Sequence, residues 1–547
     1  MTPAGTGTGP DDHRAFWADE YADEIEAREP DDPIVVKGAV SPSGIPHLGG
    51  YNEILRGYYV AEVLRERGHT VRQVFTADDR DALRKLPRRL ADADWTVVEL
   101  GEVDAGALGR NLGVPYTDIP DPFGDCHDSY GEHFTALLTD GAERLGVPLE
   151  VVSTTALYED GAFDGVVREA LEQRERAREL LAEFQDSVDE SYVPFMPICG
   201  ACGRQLTTAV TAVDLEAETV DYECVGFEDG DRTIEGCGHR GTATFRAGKL
   251  PWRFEWPAGW KVLGVDFEPF GKDHAEGSWP SGQRIARELF DVEPPVPMVY
   301  EWFTLGGEAL SSSAGNVVTV PELLELVEPA VVRYFFALNP RKQRDLDLDR
   351  IDRLVDDFDR FEAVYFGEAE PTDPAERRFA ERAYPFVVDE VREDRVRLPY
   401  TFAAVLGMTD DRGLRRQMAR REGHLPDDAP EWAVEAAMER VERARRWAKR
   451  TGNEYDYRLQ AEPPAVDFDA EVRAALDELA DHVAADLDGE ALQGEIYETA
   501  KRHDVPVGDL FAAGYELFLG QPRGPRLGPL LAALDREFVI ARLRGEG

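Results

Sequence analysis

The strongest constraint on the fold is an alternation of short apolar runs with longer, helix-patterned ones between Asp32 and Thr155. Ile34–Val40 is apolar and valine-rich, which predicts a strand. Tyr51–Arg67 has helical spacing and stops at Gly68; Val71–Thr76 is strand-like again. Asp128–Leu145 predicts a helix with one apolar face, and Leu149–Ser153 a further strand. Strands separated by helix-length segments predict a parallel α/β sheet. Ala15–Arg28 predicts an early helix, and Ala162–Ser187 one long charged helix. Leu263–Phe270, Gly282–Phe290 and Val296–Trp302 resume the α/β pattern, and from Pro321 onward the chain reads as helical.

Tyr192–Ala247 interrupts this order with Cys/Gly knuckles and short β-like runs such as Thr219–Cys224 and Thr242–Phe245. Cys199 and Cys202 lie three residues apart on a glycine-assisted turn, and Cys224 with Cys237-Gly238-His239 supplies a second half. Four soft ligands at this spacing suit tetrahedral Zn²⁺ in a closed, structural site. His239 competes with Cys224 for the fourth position. Cys126 stands alone. This is a metal pattern rather than a disulfide framework.

The formal net charge is −47, spread along the chain, and arginine supplies nearly all the positive charge. Such an excess suits work in concentrated salt, where self-repulsion is screened within about 3 Å at 1 M. The charge therefore speaks of habitat more than of partner. No stretch is apolar enough for a membrane helix and the start lacks a signal-peptide core, so a cytoplasmic location, no membrane partner and a monomer are expected.

Between the first strand and its helix lies Pro42-Ser43-Gly44-Ile45-Pro46-His47-Leu48-Gly49-Gly50. A glycine-bearing turn at a helix start offers backbone N–H groups to an anion, His47 can donate to a phosphate oxygen, and Gly49 allows close approach. Asp78 and Asp79 follow the second strand, and Lys272-Asp273-His274 follow another, where open α/β sheets bind ligands. Leu310-Ser311-Ser312-Ser313-Ala314-Gly315-Asn316 is a polar loop before a helix.

Taken in order, these segments resemble the class I aminoacyl-tRNA synthetases. Pro46-His47-Leu48-Gly49 resembles their first signature, and Ala309–Asn316 the second, in the three-serine form of the archaeal-type class I lysyl-tRNA synthetases. Thr117–Gly124, His127–Phe134, Leu250–Arg253, Asp266–His274 and Val299–Trp302 carry the same resemblance, from about residue 15 to 370. It implies a Rossmann-type parallel-sheet catalytic domain with an inserted zinc-ribbon-like subdomain and an all-helical C-terminal anticodon-binding region. The expected boundaries are 1–190 and 251–333 for the catalytic halves, 191–250 for the insert and 334–547 for the helical region.

The resemblance implies ATP with Mg²⁺, lysine and tRNA(Lys) as reactants. His47, Ser311, Ser312 and Ser313 would act on the phosphates, and Pro42, Gly44, Gly49 and Gly50 would frame the nucleotide. Ala39, Ser41, Trp252, His274 and Tyr300 would line the amino-acid pocket, with Asp78, Asp273 and Glu301 as candidates for the ammonium. Two departures stand out. Gly50 replaces the second histidine of the first signature, and Ala309 and Ala314 replace both lysines of the second. Lys272, Arg84 or Lys85 is expected to supply the missing charge. A non-catalytic tRNA-binding paralogue and a ligase for another amino acid are the alternative readings.

Overall fold

The computed structural model describes residues 15–124, 126–185, 188–229, 232–310, 317–462, 464–485 and 487–546. The chain divides into two compact units. The first comprises residues 1–323, 332–347 and 370–389, and the second 324–331, 348–369 and 390–547.

In the first unit, α1 (Trp17–Glu26) precedes β1 (Ile34–Val40), α2 (Tyr51–Glu66), β2 (Val71–Ala77), α3 (Tyr130–Arg144) and β3 (Glu150–Ser153). After a six-residue helix over Thr154–Glu159 come α4 (Asp164–Glu172) and α5 (Arg174–Ala182). The single long helix expected over Ala162–Ser187 is thus broken. Gln173 takes φ −100° and ψ 26°, outside the helical well, and its side chain donates to the Leu289 carbonyl at 3.1 Å. A tertiary contact has overridden uniform helix propensity.

The insert contains β4 (Thr208–Asp214), β5 (Thr219–Cys224) and β6 (Arg240–Thr244), an antiparallel sheet in the order β6-β5-β4. Then come α6 (Trp252–Leu263), β7 (Phe267–Gly271), α7 (Ser278–Glu288) and β8 (Val296–Tyr300). The strand expected from Leu263 starts four residues later, because α6 runs to Leu263 and ends on Gly264 at φ +64°, a left-handed cap.

β8-β7-β1-β2-β3 form one sheet, and every pairing in it is parallel. Its central strand β1 buries Ile34 to Gly38 on both faces, as a covered parallel strand must. The chain leaves β1 toward β2 on one side and returns through β7 on the other. The order therefore reverses at β1/β7, the place where such sheets open a crevice at their carboxyl ends. Beneath it lies an aromatic layer of Trp256, Trp260, Phe270 and Trp279 packed on Val35 and Val74. One charged pair crosses β1 and β7: Lys37 Nζ donates to Glu268 at 2.6 Å, and both are buried.

The second unit is built from helices, among them α8 (Ile351–Tyr365), α9 (Tyr400–Leu406), α10 (Glu431–Thr451) and α11 (Ala470–Ala484). Buried Arg440 ties α10 to Asp359 of α8 and to Glu328, each at 2.7 Å. Among the described residues, no helix is long and apolar enough to cross a membrane.

Candidate active site

A cavity of about 1380 Å³ opens at the carboxyl ends of β1 and β7. It exceeds the roughly 300–1,000 Å³ of an ordinary small-molecule pocket, so two substrates have room together. Ala39, Ser41, Pro42, Gly44, His47, Gly50, Asp78, Trp252 and His274 line it. The structure thus gathers nine of the expected residues at one place. Gly49, Lys272, Asp273, Tyr300 and Glu301 lie outside the lining, and Ser311, Ser312 and Ser313 fall outside the described residues.

His47 caps the short turn Leu48–Gly50, and its Nδ1 accepts the Gly49 N–H at 3.1 Å. Burial holds the imidazole below its usual pKa, so it is neutral and its proton sits on Nε2. The side chain is a preset N–H donor at the cavity wall. Gly49 is needed for a reason other than ligand approach: a Cβ there would stand 2.8 Å from His47 Cε1. A Cβ on Gly50, by contrast, meets nothing within 4 Å. The turn's amides are mostly spent. Leu48 N–H donates to Val318 O at 2.9 Å and Gly50 N–H to His47 O at 2.9 Å. The N–H groups of Gly44, Ile45 and His47 make no hydrogen bond among the described residues and stay open to a ligand.

Sequence reading missed Glu53, a cavity-lining carboxylate in the first turn of α2. It accepts the Ala39 N–H at 3.0 Å and the Tyr300 hydroxyl at 3.3 Å. Burial pushes its carboxyl up to about 8, with the Glu268 charge adding to the rise and Lys37 opposing it. Its signal in the sequence is faint, a single acid after a glycine turn, because its partner lies 247 residues away.

Asp78 also lines the cavity, pushed up to about 7 by burial and by Asp81 nearby. Asp81 is held low despite burial, because Lys249 Nζ donates to it at 2.5 Å; Ser41 Oγ donates to its other oxygen at 2.6 Å. Trp252 stacks on Trp256 at 5.2 Å and lies 5.9 Å from the His274 ring, giving the cavity an aromatic wall. Lys272 and Glu301 face each other at 2.5 Å, with the ammonium 5.0 Å over the Trp302 ring. Both side chains are partly exposed and lie outside the cavity lining. Asp273 lies 3.6 Å from His274.

In the insert, Cys199, Cys202, Cys224 and Cys237 bring their sulfurs within 4.8 Å of one another. Cys199 and Cys237 are 3.7 Å apart, and Cys202 and Cys224 3.8 Å. Four sulfurs at about 2.3 Å from a tetrahedral zinc stand roughly 3.8 Å apart, so the donor set fits the ion. His239 is not in the set; its carbonyl instead accepts the Cys224 N–H at 2.9 Å.

Cys126 does not stand alone. Its thiol, Asp121, His127 and His133 form a second group within 4.8 Å. The two Nδ1 atoms are 3.1 Å apart, and His133 Nε2 lies 2.8 Å from the Ala91 carbonyl. That bond leaves Nδ1 of His133 turned into the group as a lone-pair donor.

A family model described as tRNA synthetases class I (K) matches residues 15–385. The chain belongs to that family. The lysine–tRNA ligase of Natronomonas pharaonis is 68% identical over 99% of each chain. That of Haloarcula marismortui is 65% identical over 97% of each, and that of Pyrococcus horikoshii 34% identical over 97% of this chain and 99% of its own. The family match spans the whole cavity and both cysteine-bearing groups.

Proposed function

We propose that this chain is a lysine–tRNA ligase, which joins lysine to tRNA(Lys) at the expense of ATP. The observation that carries the reading is the Glu53 carboxylate at the cavity wall, fixed by Ala39 and Tyr300. A buried carboxylate beside an aromatic wall is what an alkylammonium chain needs: charge for its tip and apolar surface for its stem. Glu53 takes the role first assigned to Asp78, Asp273 or Glu301, and Trp252 flanks the methylenes.

In the first step the lysine carboxylate attacks the α-phosphorus of ATP, which enters with Mg²⁺, and pyrophosphate leaves with the bond's electron pair. In the second, the 2′-hydroxyl of the terminal adenosine attacks the lysyl carbonyl, AMP leaves with the electron pair of the broken acyl–oxygen bond, and the hydroxyl's proton passes to the departing phosphate. The protein contributes positioning and charge stabilisation rather than covalent chemistry. His47 donates its Nε2 proton as a hydrogen bond to phosphate, and open space at Gly50 admits the adenine.

Zn²⁺ on the four insert cysteines would pin the β5–β6 end of the insert, a structural role. Asp121, Cys126, His127 and His133 offer a second ion a donor set of mixed softness that suits zinc as well. RNA contacts fall to exposed Arg446, Lys449 and Arg450 at the end of α10. Arg412, Arg415, Arg416 and Arg445 of the same region are already paired with Glu435, Glu442, Glu431 and Asp410.

The test is ATP–pyrophosphate exchange with each amino acid, in concentrated KCl with tRNA present. Exchange with lysine alone supports the reading. Retained tRNA binding without exchange supports the non-catalytic paralogue that Ala309 and Ala314 suggest.

A further inference from the structure

The triphosphate end of the cavity lacks its usual cations. Alanine stands at 309 and 314, Lys272 is held by Glu301 at 2.5 Å, and Leu48, Gly49 and Gly50 spend their N–H groups inside the protein. Pyrophosphate nevertheless leaves with growing negative charge, and such charge needs contact donors. In concentrated salt the need is for contact, since distant charges are screened away.

The lining of the same cavity includes a basic stretch. Arg84, Lys85, Arg88 and Arg89 line it together with the phosphate turn, and all four are exposed. In a chain of net charge −47, four cations within six residues reverse the local sign. Arg89 lies 3.8 Å from Glu99. Arg84, Lys85 and Arg88 have no ion-pair partner among the described residues.

The stretch is anchored at both ends. Asp81 is gripped by Lys249 at 2.5 Å and Ser41 at 2.6 Å, and Leu83 exchanges backbone bonds with Val114 and Gly113 at 2.9 and 2.8 Å. Leu83 and Leu86 sink into an apolar cluster, Leu100 N–H donates to Arg88 O at 2.9 Å, and His133 holds the Ala91 carbonyl at 2.8 Å. The cations therefore stand on a fixed rim.

We propose that Arg84 and Lys85, backed by Arg88, bind the triphosphate and neutralise the departing pyrophosphate in place of the two missing signature lysines. This rests on the ligase reading above. The bond between the α-phosphorus and its bridging oxygen breaks, its electron pair leaves with pyrophosphate, and the guanidinium and ammonium meet that charge by contact; no proton is transferred.

The test is Arg84→Ala/Lys85→Ala, assayed in concentrated KCl for lysine-dependent exchange and for direct Mg·ATP binding by equilibrium dialysis. Exchange should fall at least about 100-fold, the scale of losing a transition-state donor. ATP binding should weaken too, while KM for lysine and the thermal midpoint stay put. Adding Ala309→Lys/Ala314→Lys to the double variant should restore most of the loss. Unchanged exchange and ATP binding would overturn the proposal, as would a loss that the two lysines fail to repair. Wild-type protein that binds ATP through this rim yet never exchanges would overturn the ligase reading instead.

Discussion

The Tyr300 hydroxyl donates to Glu53 at 3.3 Å, joining the end of β8 to the first turn of α2 across 247 residues. It fixes a half-buried carboxylate at the cavity wall from behind the lining. Glu53→Gln keeps the shape and removes the charge. Lysine-dependent exchange should drop by about 1000-fold, because a buried ammonium would lose its counter-charge. Tyr300→Phe should cost less, on the order of 10-fold, with most of the change in KM for lysine.

The same residue sets a pH dependence. Its carboxyl is pushed up from 4.5 to about 8, so between those values the folded chain keeps a proton the unfolded chain has lost. Stability should fall as pH rises through that window. Glu53→Gln should then be more stable than wild type at pH 9 by roughly 2–4 kcal/mol, readable by denaturant unfolding at high salt. Lysine binding must expel the proton, so KM for lysine should rise by up to about tenfold per pH unit below 8. A flat profile in wild type would remove Glu53 from the pocket.

Gly49→Ala places a methyl where His47 Cε1 stands 2.8 Å away. The ring must shift, and exchange should fall by about 10–100-fold with little loss of stability. Gly50→Ala meets no neighbour within 4 Å, so ATP binding is affected only if the adenine occupies that space. Comparing KM for ATP in the two variants separates the glycines' duties.

Metal content gives an independent check. Cys224→Ser should release one zinc and melt the insert, whereas His239→Ala should keep it, since His239 lies outside the sulfur set. His133→Ala should release a second, separate ion. Elemental analysis finding no zinc in freshly folded wild type would contradict both assignments.

Much of this was legible in residues taken one element at a time. The β1 and β2 runs were short and rich in valine, as strands of a covered sheet are, and Cys199, Cys202 and Cys237 carried their spacing openly. What escaped reading depended on contacts between distant segments. Gln173 breaks a helix through Leu289, Lys272 is consumed by Glu301, and Cys126 finds two histidines and an aspartate. Glu53 looked like an ordinary first-turn acid until Tyr300 and Ala39 enclosed it. The phosphate turn kept its place, but part of its backbone serves the fold: a Cβ at Gly49 would meet the His47 ring, and the Leu48, Gly49 and Gly50 amides bond within the chain.

The charge predicts a further behaviour. With net charge −47, removal of salt lengthens the screening distance from about 3 Å at 1 M to about 30 Å at 0.01 M, and the carboxylates then repel across the whole surface. Circular dichroism during dialysis into dilute buffer should show loss of structure, reversed by KCl.

The most direct measurement is pyrophosphate exchange in concentrated KCl, with tRNA present, across all amino acids and with Glu53→Gln beside wild type. Exchange with lysine alone, abolished by that substitution, is the predicted result. Exchange with a different amino acid, or lysine exchange indifferent to Glu53, would contradict the account.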